Sequence, residues 1–201
     1  MSQIGQEVFG EHYPDASRYV EILATRGQEW GLIGPREVDR LWDRHVLNSL
    51  ALSDLIPQGA SVADVGSGAG LPGIPLALAR PDLSVTLVEP LLRRSNFLTQ
   101  AVDELGITRQ VTVIRSRAED LQETFDVVAS RALAPLDRLV RWCAALREPH
   151  GAILALKGRS AADEVKASAA TLRSHRLVAS VLSARGHPSS EPTTVVRLTA
   201  A

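Results

Sequence analysis

The chain has 201 residues, is 45% hydrophobic and 22% charged, and carries a net charge of −1. That length suits one domain of ordinary size, and the hydrophobic fraction excludes a disordered protein. No run approaches the roughly 18 apolar residues of a membrane span. The first thirty residues are acidic and lack the apolar core of a secretory signal. Cys143 is the only cysteine, so we expect a cytoplasmic protein without disulfides.

Basic residues are unevenly distributed along the chain. Residues 1–60 carry 5 Lys/Arg and 9 Asp/Glu, whereas residues 61–201 carry 17 and 14. Twenty of the 22 basic residues are Arg, whose guanidinium suits bidentate contacts to phosphates and guanine edges. A genomic composition bias would produce the same preference, so composition leaves nucleic-acid binding open.

The first part of the chain has helical patterns. The spacing of apolar positions predicts one helix over residues 13–24 and a second from residue 36 to about residue 55. Residues 31–35, Gly-Leu-Ile-Gly-Pro, separate the two because glycine and proline interrupt helices. We interpret residues 1–58 as a helical cap on a sheet formed by residues 59–201, the two together making a single domain.

From residue 61 onward, short β-rich runs alternate with longer helical patterns, as in a parallel α/β sheet with crossover helices. Strands are predicted at residues 61–65, 84–89, 111–115, 125–129 and 152–156, and helices at residues 72–80, 91–105, 136–146 and 163–174. Two last strands, at residues 177–182 and 193–198, are too close for a crossover helix and should form an antiparallel hairpin. The sheet is then mostly parallel with one reversed strand.

A glycine loop follows the first predicted strand: residues 64–73 read Asp-Val-Gly-Ser-Gly-Ala-Gly-Leu-Pro-Gly. Glycines allow a sharp turn and a close ligand, and the following helix start offers free N–H groups. Leu71 stands where the dinucleotide fingerprint needs its third glycine, and the loop fits neither a P-loop nor a nucleophile elbow. Asp64 ahead of the glycines favours a ligand with a cationic amino-acid end, such as S-adenosylmethionine.

Two further acidic positions follow the next strands. Glu89 ends the second predicted strand, 23 residues after Gly66, near the spacing at which an acid reaches ribose hydroxyls. That acid suits NAD as well as S-adenosylmethionine. After the third strand, Ala118 offers a small surface for an adenine ring and Glu119 an acceptor for its amine, although charge stabilisation of a helix start is an alternative explanation of the acid.

Four short motifs together resemble the bacterial 16S ribosomal RNA methyltransferase G family, above all its actinobacterial members. They are Trp-Asp-Arg-His-Val-Leu-Asn-Ser at residues 42–49, the glycine loop extended by Leu-Pro-Gly-Ile-Pro, Ser-Arg-Ala at residues 130–132 and Leu-Lys-Gly at residues 156–158. The resemblance covers about residues 20–198. It implies a class I, Rossmann-like methyltransferase fold and methyl transfer from S-adenosylmethionine to N7 of one guanine of 16S rRNA, in a loop near the decoding centre.

The resemblance also implies a set of cofactor contacts along the carboxyl edge of the sheet. These are Gly66, Leu71, Ala118, Glu119 and Arg131, with Glu89 as the ribose partner, and we add Gly68 of the same loop. The sequence departs from the family at two places. Asn48 stands where many relatives have an aspartate, and residues 31–33 replace an Asn-Leu-Thr element, so contacts made there are not carried over.

Guanine N7 has a free lone pair and no proton, so its methylation needs positioning rather than a general base. We therefore assign no catalytic acid or base and no metal. Candidates for substrate contact are Arg44, His45, Arg93, Arg94, Arg117 and Lys157. Each also has an ordinary structural explanation: an ion pair, a solvated helix start or, for His45, a hydrogen-bonded core histidine.

Only eight aromatic residues are available to stack on unpaired bases. We therefore expect a monomer that prefers the small ribosomal subunit or its assembly intermediate over naked RNA, with no DNA or membrane partner. Three alternatives remain open. The net charge favours a methyltransferase for a small molecule or protein; an NAD-dependent oxidoreductase is opposed by Leu71; and the loop also fits a non-catalytic nucleotide-binding module.

Overall fold

The computed structural model describes residues 2–201 and contains a seven-stranded sheet. Its strands are β1 (Ser61–Val65), β2 (Ser84–Val88), β3 (Val111–Ile114), β4 (Phe125–Arg131), β5 (Arg147–Lys157), β6 (Leu177–Ala184) and β7 (Thr193–Ala200). They lie in the order β3-β2-β1-β4-β5-β7-β6. β1 to β5 pair in parallel, whereas β7 is antiparallel to both β5 and β6, so the predicted hairpin and reversed strand are confirmed.

Seven α-helices accompany the sheet: α1 (Ser2–Phe9), α2 (Tyr13–Ile22), α3 (Gly73–Ala79), α4 (Leu92–Glu104), α5 (Leu136–Cys143), α6 (Ala161–Ala167) and α7 (Ala169–Ser174). The sequence did not reveal α1. The predicted helix at residues 163–174 is interrupted at Ser168, which ends α6 and begins α7 with a non-helical ψ of 5°.

The prediction of one regular helix over residues 36–55 was wrong. The chain there forms a 3-10 segment (Pro35–Arg40), a wide π-helical turn (Leu41–Leu47) and a second 3-10 segment (Leu50–Leu55). Its core positions include the neighbours Val46 and Leu47 and three consecutive residues at 50–52, all buried. Because successive residues of a regular helix point about 100° apart, this set is too broad for one helical stripe, and the turns widen and tighten to bury it.

The parallel strands bring their carboxyl ends to one edge of the sheet. Residues 65, 88, 114, 131 and 157 end β1 to β5, and the strand order reverses between β1 and β4. In open α/β sheets such a reversal leaves a crevice in which ligands bind. The register pairs Asp64 of β1 with Ala129 of β4, so the glycine loop after β1 and Arg131 at the end of β4 lie on either side of the crevice.

The N-terminal segments pack on the sheet through a shared hydrophobic core. Tyr19, Leu23 and Leu47 belong to the same buried cluster as Val62 and Leu87 of the sheet. Polar bonds cross the same boundary, since Tyr19 Oη donates to the Ala69 carbonyl at 2.8 Å. The cap and the sheet therefore share one core.

We predict that replacing Tyr19 by Phe destabilises the whole chain. The ring stays in the core, but the buried Ala69 carbonyl loses its partner, which costs about 1–3 kcal/mol. Urea unfolding followed by tryptophan fluorescence and circular dichroism should show that loss in one cooperative transition. Tyr13→Phe is the matched control, because the Tyr13 hydroxyl has no hydrogen bond within residues 2–201. Unchanged stability, or separate transitions of cap and sheet, would contradict the shared core.

Candidate active site

The loop between β1 and α3 takes a conformation that only glycine accepts readily. Gly66, Gly68 and Gly70 have φ of +72°, +58° and +97°. A Cβ at Gly66 would lie 2.3 Å from Leu133 Cδ1, and one at Gly70 would lie 2.5 Å from Ile74 Cδ1. All three positions have a backbone conformation that suits glycine, and at Gly66 and Gly70 a neighbouring side chain also fills the space that a Cβ would need.

The buried Asp64 side chain holds the two ends of this loop together. Its carboxylate is fully buried, and Oδ2 accepts the backbone N–H of Gly73 at 3.0 Å, while Ser67 Oγ donates to the Asp64 carbonyl at 2.7 Å. The other carboxylate oxygen, Oδ1, has no partner within residues 2–201. Burial raises the pKa of Asp64 to about 7. The acid that leads the loop therefore fixes the shape of the loop rather than standing at its open edge.

Glu89, directly after β2, ties the loop to the next strand. It is 2% exposed, and its two oxygens accept the backbone N–H groups of Gly68 and Leu91, each at 3.0 Å. An ionised carboxylate has about four acceptor positions, so two amides leave room for two hydroxyl donors. The residue is thus held in place and retains the capacity that a ribose requires.

Arg131 ends β4 and lies against the cap. Its Nη1 donates to the Arg44 carbonyl at 3.2 Å, and its Nη2 contacts His45 Nδ1. Burial lowers the pKa of Arg131 and the nearby Tyr19 and Asp64 oppose that shift, but a guanidinium remains a cation at neutral pH. A cation is therefore held at the boundary between the sheet edge and the cap.

His45 is engaged on both ring nitrogens. Nε2 lies 2.9 Å from Glu37 Oε2, opposite the nitrogen that faces Arg131. Burial and the charge of Arg131 lower the pKa of His45, against the opposing effect of Glu37. Glu37 also accepts from Arg44 Nη1 at 3.2 Å, and its contact with His45 lowers its own pKa.

Lys157, at the end of β5, has protein partners. Its ammonium donates to the Ala134 carbonyl at 2.6 Å and to Glu164 Oε2 at 2.8 Å, and its side chain is 9% exposed. Glu164 also accepts the backbone N–H of Leu136 at 3.0 Å. Lys157 therefore fastens the connection between β4 and α5, and its role as a substrate contact stays a prediction.

A cleft of about 1080 Å³ opens beside the ends of β4 and β5. Its walls come from five parts of the chain: the cap between residues 37 and 48, residues 131–135, residues 156–158, Glu164 of α6, and residues 189–193 at the connection between β6 and β7. Four of the predicted site residues line this cleft: Arg44, His45, Arg131 and Lys157. Eight charged side chains line the cleft. Four are acidic, Glu37, Asp43, Glu164 and Glu191, and four are basic, Arg40, Arg44, Arg131 and Lys157.

The other predicted residues lie in the glycine loop after β1 or toward the β2 and β3 side of the edge. Arg93, Arg94 and Arg117 are exposed and do not line the cleft; the Arg93 guanidinium lies 5.8 Å from the centroid of the Trp30 ring. Ala118 is buried and Glu119 exposed in the 3-10 turn that follows β3. Leu71 is buried within the glycine loop.

Sequence reasoning missed Glu37, Tyr19 and Glu164. Each acts through a partner from another element, and no spacing in the sequence announces those pairs. Within residues 2–201, no three His, Cys, Asp or Glu side chains group as metal ligands, and no helix is long and apolar enough to cross a bilayer.

The residues of the edge fit S-adenosylmethionine. Glu89 keeps acceptor capacity, the backbone at Gly68 has open space beside it, and Arg131 presents a cation suited to a carboxylate. Together with the strand order, these features define a class I, Rossmann-like methyltransferase. A SAM-dependent methyltransferase from Aquifex aeolicus shares the fold, with a TM-score of 0.60 at 15% identity over 83% of this chain and 98% of that one. An O-methyltransferase from neocarzinostatin biosynthesis does so with a TM-score of 0.66 at 15% identity, over 100% of this chain and 69% of that one.

The family model described as rRNA small subunit methyltransferase G matches residues 12–191. Proteins named ribosomal RNA small subunit methyltransferase G are similar along most of the chain. The one from Kineococcus radiotolerans is 55% identical over 95% of this chain and 76% of its own length, and the one from Renibacterium salmoninarum 52% identical over 98% and 94%. The chain belongs to this family of S-adenosylmethionine-dependent methyltransferases. Both relatives are actinobacterial, as the sequence motifs predict.

We predict that Asp64→Asn changes the pH dependence of stability. With a pKa near 7 in the folded chain and an ordinary value of 3.8, the carboxyl binds more protons folded than unfolded between these values. Wild-type stability therefore loses up to roughly 1 kcal/mol per pH unit from this group as pH rises from about 4 to 7. The neutral amide removes that loss, so the stability of Asp64→Asn relative to wild type should rise over the same window in urea titrations.

Asp103→Asn, at an exposed position of α4, is the matched control and should follow the wild-type curve. A constant difference between Asp64→Asn and wild type from pH 4 to pH 7 would show that Asp64 is ionised throughout.

Proposed function

We infer that the chain transfers the methyl group of S-adenosylmethionine to N7 of a guanine in the 16S rRNA of the small ribosomal subunit. The observation that carries this conclusion is the family match, which spans the glycine loop, the end of β4 and every wall of the cleft up to residue 191. The equal numbers of acids and bases in the cleft suit a purine better than a run of phosphates.

For the cofactor, we propose a path along the carboxyl edge from Arg131 to Glu119. When bound, S-adenosylmethionine supplies a methyl group activated by the positive sulfur. The backbone around Gly66 and Gly68 holds its amino-acid portion with Arg131 at the carboxylate. Glu89 accepts from the ribose hydroxyls. The turn at Ala118 receives the adenine.

Acceptance of the methyl group requires no proton removal, because guanine N7 carries a free lone pair. The protein must orient the base and tolerate the positive charge that develops on the purine. Glu37, Glu164 and Glu191 line the cleft and supply negative charge there, while Arg44 and Lys157 donate to acceptors such as guanine O6. The cleft thus combines donors for recognition with carboxylates that stabilise a cationic product.

The exposed arginines of the chain bear on whether it recognises naked RNA or an assembled ribosomal subunit. Arg93, Arg94 and Arg117 are exposed away from the cleft and suit backbone phosphates, but the chain as a whole carries a net charge of −1. We therefore propose that a monomer recognises the shape of the assembled small subunit or of an assembly intermediate, and binds naked RNA weakly.

Transfer of a labelled methyl group from S-adenosylmethionine, followed by mapping of modified nucleotides, tests the proposal. We expect one N7-methylguanine in 16S rRNA when unmethylated small subunits are supplied, and slower transfer to naked 16S rRNA. Already methylated subunits are the control. No transfer to either substrate, despite measurable cofactor binding, would move the activity to a small molecule or protein. Tight, salt-insensitive binding to short unstructured RNA would contradict the preference for a preformed surface.

Arg131→Ala should weaken cofactor affinity or turnover by about tenfold or more, because a charged hydrogen bond to the ligand is lost. Isothermal titration with S-adenosylhomocysteine and single-turnover methylation measure the two effects. Arg109→Ala is the matched control: Arg109 is exposed and precedes β3, so it lies at the opposite edge of the sheet. Unchanged kinetics and affinity in a stable Arg131→Ala would remove Arg131 from the site.

A further inference from the structure

We propose that His45 is a positioning residue: it holds Arg131 in its ligand-binding orientation, and Glu37 fixes the imidazole tautomer that this requires. The inference rests on the proposed function in one respect, that Arg131 contacts a ligand. It changes the expectation for His45 from a residue that touches substrate to one that acts through a neighbour.

Hydrogen-bond chemistry makes the contact directional. An arginine has five N–H donors and no acceptor, so Nδ1 of His45 must accept from Arg131 Nη2 and carry no proton. The neutral ring then has its proton on Nε2, which donates to Glu37 Oε2 at 2.9 Å. The other neutral tautomer would set a donor against a donor at Nδ1 and leave Nε2 without a proton for Glu37. Only one state of His45 satisfies both neighbours.

The cap supplies both contacts that orient Arg131. The guanidinium donates to the Arg44 carbonyl and to the His45 ring, and both belong to the π-helical turn Leu41–Leu47. In a regular helix Asn48 N–H would donate to the Arg44 carbonyl; here it donates to the His45 carbonyl instead, which leaves the Arg44 oxygen open to Arg131. The irregular turn thus provides both groups that hold the Arg131 side chain.

Two contacts leave three N–H donors of Arg131 without a partner in residues 2–201, and the residue lines the cleft. A long side chain at a strand end would otherwise sample several rotamers, and ordering it on ligand binding reduces affinity. Holding it in advance preserves that affinity.

Charged groups around His45 determine how the contact responds to acid. Glu37 faces it from the segment Pro35–Arg40, Arg44 from its own turn and Arg131 from β4; Tyr19 and Asp64 act electrostatically on Arg131. A protonated His45 would place an N–H and a positive charge against the guanidinium. Burial and Arg131 lower the pKa of His45, which favours the neutral ring.

Two variants separate positioning from mere packing. His45→Leu keeps bulk and removes both polar contacts, whereas the amide of His45→Gln can accept from Arg131 and donate to Glu37. We expect His45→Leu to weaken S-adenosylhomocysteine binding about tenfold and His45→Gln to stay within about threefold of wild type. His150→Leu, at an exposed histidine of β5, should bind as wild type does.

A double variant tests whether His45 acts through Arg131. If it does, Arg131→Ala with His45→Leu binds no more weakly than Arg131→Ala alone, because the residue being positioned is already absent. Losses that multiply would overturn the proposal, as would wild-type affinity in a folded His45→Leu. Melting temperatures of each variant show whether a loss of affinity merely reflects unfolding.

The pH profile supplies a readout that packing does not move. Wild-type affinity should fall on acidification below pH 6.5 as His45 gains a proton, and His45→Gln should lack that component while the titration of Asp64 persists in both. Identical acid limbs would overturn the assignment. Because every measurement uses cofactor affinity without RNA, failure of 16S rRNA methylation would count against the proposed function and leave this inference standing.

Discussion

The closure of the glycine loop by buried carboxylates is the constraint on which the rest of the site depends. Asp64 holds the end of the loop at Gly73, Glu89 holds its middle at Gly68, and Tyr19 holds the Ala69 carbonyl. The three side chains come from β1, the end of β2 and α2, so the loop is correct only when sheet and cap are both in place. A loop anchored in this way is preorganised, and a ligand meets it without further ordering of the backbone.

The cap therefore belongs to the site and does more than cover it. It contributes Tyr19 to the loop and, through Glu37 and His45, a chain of polar contacts that ends at Arg131. That chain depends on the wide turn at Leu41–Leu47, and such π-type turns are frequent at functional sites. The same wide turn that departs from regular helical geometry presents the Arg44 carbonyl and the His45 imidazole to the Arg131 guanidinium.

The sequence predicts the frame of the fold well because the frame follows from local patterns. Buried parallel strands are short apolar runs, so β1 falls at its predicted residues, and the short connection between β6 and β7 admits only a hairpin. The site is less predictable because its partners are distant in sequence. Lys157 is predicted as a candidate substrate contact, yet its ammonium donates to Glu164 and to the Ala134 carbonyl, and no pattern indicates that Glu37 pairs with His45.

The distribution of charge around the edge supports the proposal that one face contacts two parts of an RNA. Arg93, Arg94 and Arg117 are exposed on the β2 and β3 side, and the cleft beside β4 and β5 balances four acids against four bases. A groove for phosphates would be positive throughout, but a guanine that becomes cationic on methylation gains from carboxylates nearby. The proposed cofactor path runs between the two regions, at the reversal of strand order. An RNA backbone bound at the exposed arginines and a guanine turned into the cleft would place N7 of that guanine beside the methyl donor. The transfer would then need no catalytic acid or general base.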